Sequence, residues 1–466
     1  MTATNHSLPL FQLAFSVVDL RRTEAWFHEG LGFLPAGGNI RMMSGPIASR
    51  VQGLPGAASC AWWMVARNAW FQLELFQFRQ PVAKLMPADF RPCDTGYTRM
   101  GVHVQDFDKA LADLAALGSE PLAPPVGQPG SRRACVRNPD GVYVEIMEDD
   151  PLPQAPGSER EDCPVAVRSV TLSTPDFDAS VASMSAVYGK GPEDIALHTP
   201  EHEAIWGLPG ASCKRAVFRS GDILMEVVHY IDPVGKPWPD GYRICDQGIL
   251  NVAYGARSRP EFTEPYERLV QAGAKANFRP LFFNGGGIVY VNDPVGFSVE
   301  FTWMPPKRDY QYGFEPHPRD DRPAHNKYLV TGRAQIAAPV ETVWKILNDH
   351  ESMSQWCGFE TVRRTRDGTP EPDGYGAERI MRGKPGNVVE QITDVEPGRR
   401  IHYRVIEGGP IRFHNGEVDL VPTAEGCEVC WTIRFGSKYP LLGPLLRRVM
   451  QKMLDGTLQG GLKPYA

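Results

Sequence analysis

Gly53 to Cys60 reads GLPGAASC, and Gly207 to Cys213 reads GLPGASC, so Leu208 follows Leu54 by 154 residues. Working outward, each match is followed by a strand-like stretch with a glutamate, FQLELFQF around Glu74 and ILMEVVHY around Glu226, 152 residues apart. Further on, RNPDGVYVEIME around Glu145 corresponds to VNDPVGFSVEFTW around Glu300, 155 residues apart. A fixed long period of this kind marks a duplicated supersecondary unit. Each unit divides again into two similar halves, which open FQLAFSVVDLRRTEAWFHEGLGF, RMGVHVQDFDKALADLAALG, SVTLSTPDFDASVASMSAVYG and NVAYGARSRPEFTEPYERLVQAG. The pattern is a strand, an Asp that the fourth half lacks, an amphipathic helix and a closing Gly. In the second half Phe107, Leu111, Leu114 and Leu117 recur at helical spacing and Gly118 supplies the stop. Each half then runs through further strands to its glutamate, so the order β-α-β-β-β occurs four times and the fold class is α+β.

Composition excludes several alternatives. The chain has 466 residues, enough for about three domains. Its 49 Lys and Arg against 55 Asp and Glu leave a formal charge of −6, which gives a nucleic-acid backbone no electrostatic attraction. The N-terminus lacks the basic and apolar pattern of a secretory signal, and no stretch has the length of a membrane span, so a cytoplasmic location without membrane contact is expected. Nine scattered cysteines read as reduced thiols. Cys427 and Cys430 form one CxxC, but alternation along EGCEVCWTIRF sends them to opposite faces of a strand.

The residues Asp19, Trp26, Phe27, the LGF of 31 to 33, the NPDG of 138 to 141 and the strand glutamates together resemble the vicinal oxygen chelate superfamily, which includes glyoxalase, bleomycin-resistance proteins and extradiol dioxygenases. The resemblance covers roughly Leu8 to Met304 and implies paired modules forming cup-shaped sheets. It also implies metal ligands on the first and last strands of each module. Carried over, these positions are Gln12 and Glu74, Arg99 and Glu145, Ser169 and Glu226, and Asn251 and Glu300. None is histidine, and Arg99 has no lone pair to give a metal. Metal and other cofactors are therefore not expected.

With modules paired in chain order, residues 1–155 form the first paired domain and 156–305 the second. Arg99 would then bridge Glu74 and Glu145 in a polar second pocket that also holds Gln12. Glu226 and Glu300 would face each other without a cation, beside Ser169 and Asn251. Two close carboxylates cannot both ionise cheaply, so this pair is the expected catalytic acid and base.

The Pro-rich, charged stretch 306–324 reads as a linker. Residues 325–466 resemble the helix-grip family of START lipid-binding domains and polyketide cyclases, on APVETVWKILNDHESMSQW (338 to 356), ITDVEPGRRIHYRV (392 to 405) and GEVDLVPTAEGCEVCWTIRF (416 to 435). That likeness implies an antiparallel sheet around a long C-terminal helix, with an apolar cavity for which Trp356, His402 and His414 are candidates. Alternation places His402 with Arg404, and Arg412 with His414. The NGGGIVY of 284 to 290 reads as a turn, because it lacks the lysine and hydroxyl of a phosphate loop.

The expected function is an enzyme of small-molecule metabolism acting on an apolar, aromatic or polyketide-like compound by non-redox acid/base chemistry of lyase, isomerase or cyclase type. The alternatives are a protein that sequesters a hydrophobic compound or antibiotic, and a metal-dependent dioxygenase or glyoxalase-like enzyme. Trp62, Trp63 and Trp70 are candidates for a homodimer contact or for core.

Overall fold

The recurring Asp is a helix cap. Asp19 accepts from the backbone N–H of Arg21 and Arg22, Asp106 from Lys109, and Asp176 from Ala179. The fourth half lacks the Asp and uses Ser258 in a reciprocal capping box with Glu261. Gly118, at φ 86°, turns the chain out of the second helix in a conformation that disfavours a side chain.

The computed structural model describes residues 8–153, 160–283, 285–383 and 386–466. It divides into two compact units, Met1–Pro323 and Ala324–Ala466. The expected boundary at 155 and 156, and Asn284 of the NGGGIVY segment, lie outside the described residues. The remainder of that segment enters the hairpin of Leu281–Phe283 with Gly286–Asn292.

In each of the four modules the first strand pairs in parallel with the last. These pairs are Leu10–Ser16 with Gln72–Gln80, Gly96–Val104 with Tyr143–Met147, Val165–Ser173 with Ile223–Asp232, and Gly248–Ala256 with Ser298–Trp303. The register repeats. Glu74, Glu145, Glu226 and Glu300 stand opposite Ala14, Gly101, Thr171 and Ala253. Gln12, Arg99, Ser169 and Asn251 each lie two residues earlier on those first strands, so they share the face of the partner opposite the glutamate.

Which modules pair with which differs from the expectation. Leu10–Ser16 pairs antiparallel with Gly248–Ala256, with Ala14 opposite Asn251, so module one joins module four. Gly96–Val104 pairs antiparallel with Val165–Ser173, with Arg99 opposite Thr171, so module two joins module three. A bridge between Ile249 and Tyr97 merges both pairs into one sixteen-stranded sheet. Period-two alternation fixes the inward face of each strand. It carries no information on which first strands hydrogen-bond across the sheet.

Residues 306–323 are not a free tether. Phe314 is buried and stacks on Phe11 at 4.9 Å, and Arg257 holds Asp309 at 2.6 Å. Arg319 pairs with Glu24 at 3.0 Å. Trp62 is buried, Trp63 turns toward Glu74, and Trp70 lies under the Arg257 guanidinium, so all three tryptophans pack within the first unit.

The second unit is a seven-stranded antiparallel sheet holding the helix Gly443–Asp455, which continues through Gly456–Leu462. Gly332 allows the close approach, since a Cβ there would stand 2.6 Å from Leu458. Leu446, Val449, Met450, Met453 and Leu454 face a cavity, as their helical spacing predicts. All nine cysteines are free, Cys427 buried and Cys430 half-buried on opposite strand faces. No described helix is long and apolar enough to cross a membrane.

Candidate functional site

The two module pairs have opposite character. In the pair of modules two and three, the glutamates are locked by cations. His198, from the loop after the third helix, spans the gap with Nε2 2.8 Å from Glu145 Oε2 and Nδ1 2.8 Å from Glu226 Oε1. Arg99 donates to Glu226 at 3.0 Å, Arg215 to Glu226 at 2.6 Å, and Arg133 to Glu145 at 3.1 Å. Thr171 Oγ1 donates to Glu226 at 2.9 Å, while Trp206 covers Arg99 at 3.6 Å. Arg215 also binds Glu203, which accepts from Tyr230. Burial alone would raise the Glu145 carboxyl, but His198, Arg133 and Arg99 outweigh it and hold it at about 2. The same balance puts Glu226 well below its ordinary value and raises His198.

Two expectations fall here. Glu226 does not face Glu300, because the strands carrying them belong to different pairs. Arg99 bridges toward Glu226 rather than between Glu74 and Glu145. Ser169 is buried beside Gly101 and adds no bond to either glutamate. His198, Arg133, Arg215, Glu203 and Thr171 were absent from the candidates, and His198 sits in a loop without any periodic signal.

The pair of modules one and four is open. Glu74 and Glu300 line a cavity of roughly 660 Å³ whose walls include Phe11, Trp63, Tyr290, Trp303 and Phe314. Glu74 accepts only from Trp63 Nε1, at 2.9 Å, among the described residues. Glu300 is better solvated by protein. Thr302 Oγ1 donates at 2.8 Å, Asn251 Nδ2 approaches at 3.4 Å, and Tyr290 also bonds it. Burial, and then the charge of Glu300, push the Glu74 carboxyl up to about 8 against the smaller opposing effect of Trp63. Burial raises Glu300 too, against the smaller opposing effects of its three donors. The donors oppose the rise on Glu300, while Glu74 has only the Trp63 bond against its burial, so Glu74 is the partner held protonated near neutral pH.

Gln12 Nε2 donates to Gln72 Oε1 at 2.5 Å, and Gln72 Nε2 donates to the carbonyls of Tyr312 and Gly313 at 2.5 and 2.7 Å. The segment first read as a linker is thereby pinned over the cavity. Gln12 Oε1 and Asn251 Oδ1 are buried without a hydrogen-bond partner among the described residues. Counting only His, Cys, Asp and Glu, no described cluster of three could hold a metal. Gln12, Glu74 and Glu300 line the cavity, and their oxygen donors would suit a hard divalent cation such as Mg²⁺ or Mn²⁺ better than Zn²⁺.

Glu74 has a measurable consequence for stability. A carboxyl raised in the fold contributes fully below its unfolded value and loses that contribution as pH rises through the folded value. Relative to Glu74→Gln, the wild type should therefore lose stability between about pH 4.5 and 8. Urea unfolding of both proteins across that range checks the slope, and parallel pH profiles would contradict it.

In the second unit, the cavity of roughly 230 Å³ is lined by Tyr403, Trp431, Met450 and His414 around the Arg379–Glu390 ion pair. His414 is buried and its imidazole is held down at about 4, hence neutral. His402 and Arg404 face away, Arg404 toward Gln391 at 2.7 Å. Trp356 is core, its ring 6.4 Å from Trp431. An irregularity at Phe413, with φ 47°, interrupts the alternation expected for Arg412 and His414.

Residues 328–464 match the family described as Polyketide cyclase / dehydrase and lipid transport. The second unit has the helix-grip arrangement, an antiparallel sheet around a C-terminal helix. Its solved likenesses include a START superfamily protein from Mycobacterium smegmatis, 15% identical, covering 28% of this chain and 98% of that one, with a TM-score of 0.25. Glyoxalase I from Zea mays is 16% identical over 64% of this chain and 92% of its own, with a TM-score of 0.42. Each of the four modules opens on a strand and a helix, but modules two and three carry two strands after the helix rather than the expected three, with single bridges at Val126 and Glu193 in the remaining place.

Proposed function

We propose that this protein is an enzyme of small-molecule metabolism that moves protons on an apolar, aromatic or polyketide-like compound bound between modules one and four. The observation that carries the reading is the facing of Glu74 and Glu300 in an open, mainly apolar cavity. The equivalent pair, Glu145 and Glu226, is bridged by His198 and held by Arg99, Arg133 and Arg215. Glu300 takes a proton from a carbon next to a carbonyl, the electron pair moves onto the carbonyl oxygen, and Glu74 delivers its proton there. The resulting enol is the common intermediate of isomerase, lyase and cyclase reactions, and water exclusion by Phe314 and Trp63 strengthens the electrostatics.

Incubation with aryl ketones and β-diketones in D₂O tests this reading by mass spectrometry. Deuterium should enter the α-position with wild type and not with Glu300→Gln. Equal exchange with both proteins would contradict the assignment.

A second reading follows from the orphaned oxygen of Gln12. With Glu74 and Glu300 it would hold a divalent cation, which supplies Lewis-acid polarisation of a substrate oxygen when bound. The proton-transfer reading expects elemental analysis to find less than about half an equivalent of metal per chain. Stoichiometric Mg or Mn that is lost on Glu74→Ala would favour the second.

A further inference from the structure

We propose that the reactive cup has a second compartment, which takes an uncharged aromatic ring bearing a hydrogen-bond donor. The inference rests on the cup being the reactive site only for calling that ring a part of the substrate. A further cavity of roughly 500 Å³ lies within the first unit and shares Gln52 with the cavity of Glu74 and Glu300. Its volume is in the range of small-molecule sites. Ser298 of this cavity precedes Glu300 of the other by two residues on one strand, so the two side chains share a face of the sheet.

The walls specify the occupant. Trp238 stacks on Tyr242 with centroids 5.7 Å apart and planes 9° apart, and meets the edge of Phe297 at 4.8 Å. Such a wall offers π-faces to a planar ring. Arg243 donates to Asp246 at 2.8 Å, so its charge is already matched and an ionised ligand finds no counter-ion there. Gln52 Oε1 and Ser298 Oγ belong to side chains 8% exposed, and neither has a hydrogen-bond partner among the described residues. An unmet buried acceptor is unfavourable until a donor reaches it. A ring hydroxyl or ring N–H directed at Gln52 meets that need.

The test uses the full chain labelled with 5-fluorotryptophan, with Trp238→Phe assigning the resonance, and 2-naphthol as the probe. The Trp238 resonance should shift on titration, and Gln52→Leu should weaken that binding about tenfold, the effect of one lost hydrogen bond. Naphthalene, which lacks the donor, should bind both proteins alike. Should Gln52→Leu fail to fold, Ser298→Ala removes the second acceptor and should weaken 2-naphthol in the same direction. Glu300→Gln should keep this binding, which separates the compartment from the proton-transfer assignment. A Trp238 resonance that 2-naphthol leaves unmoved, or equal affinity in wild type and the acceptor variants, would overturn the proposal.

Discussion

His198→Leu should lower the stability of the first unit by about 3–5 kcal/mol, the cost of breaking a buried charge pair. The imidazole is the one group among the described residues that hydrogen-bonds both Glu145 and Glu226, each at 2.8 Å, and its side chain is fully enclosed. Leucine fills similar space but leaves two carboxylate oxygens facing an apolar side chain. The loss corresponds to a fall in Tm on the order of 10 °C for a unit of this size. The pH dependence distinguishes an electrostatic cause from simple packing. In wild type, Glu145 is depressed from 4.5 to about 2, so its contribution is present above 4.5 and fades as pH falls toward 2. His198 is raised, so its contribution is complete below 6.5 and is lost as pH rises through its folded value. In the variant the carboxylates lose their bridging cation, and protonation should relieve the cost. The stability gap should therefore narrow below about pH 5. Thermal melts of both proteins at several pH values give the answer, and a gap that is small or independent of pH would contradict the role.

Glu300→Gln should reduce turnover about a hundredfold or more, the usual scale for a lost general base, with the fold retained by circular dichroism. Glutamine keeps the size and the bonds to Thr302 and Tyr290 but cannot accept a proton from carbon. Glu74→Gln should have a comparable effect on turnover and should remove the titration near pH 8. Glu226→Gln should act mainly through stability, since Glu226 is held by Arg99, Arg215 and His198 away from the open cavity. Near-full activity in both Glu74→Gln and Glu300→Gln would remove the chemistry from this cup.

Much of the fold was legible because it repeats. The four Asp or Ser caps and the four strand glutamates occupy matching registers, and self-comparison of the sequence finds them. Asn251, on the one first strand whose module lacks the Asp, lies two residues before Ala253, which stands opposite Glu300, as its counterparts do in the other modules. The pairing of modules was not legible. Alternation says that Glu226 and Glu300 point inward, but not that Glu300 meets Glu74 across strands separated by more than two hundred residues. The same error placed Arg99 in the wrong cup. His198 escaped notice because a bridging loop residue leaves no period, and its role exists only once Glu145 and Glu226 are brought together. The stretch 306–324 reads as a linker on composition, yet Gln72, Glu24 and Arg257 pin it to the modules as far as Arg319.

Glu74 should remain a neutral acid beside Glu300 at physiological pH. Infrared difference spectroscopy of the carboxyl C=O stretch tests it most directly. At pH 7 wild type should show a protonated-carboxyl band that disappears as pH rises through about 8 and is absent in Glu74→Gln. A spectrum with no protonated carboxyl at pH 7, or a band that Glu74→Gln leaves in place, would contradict it.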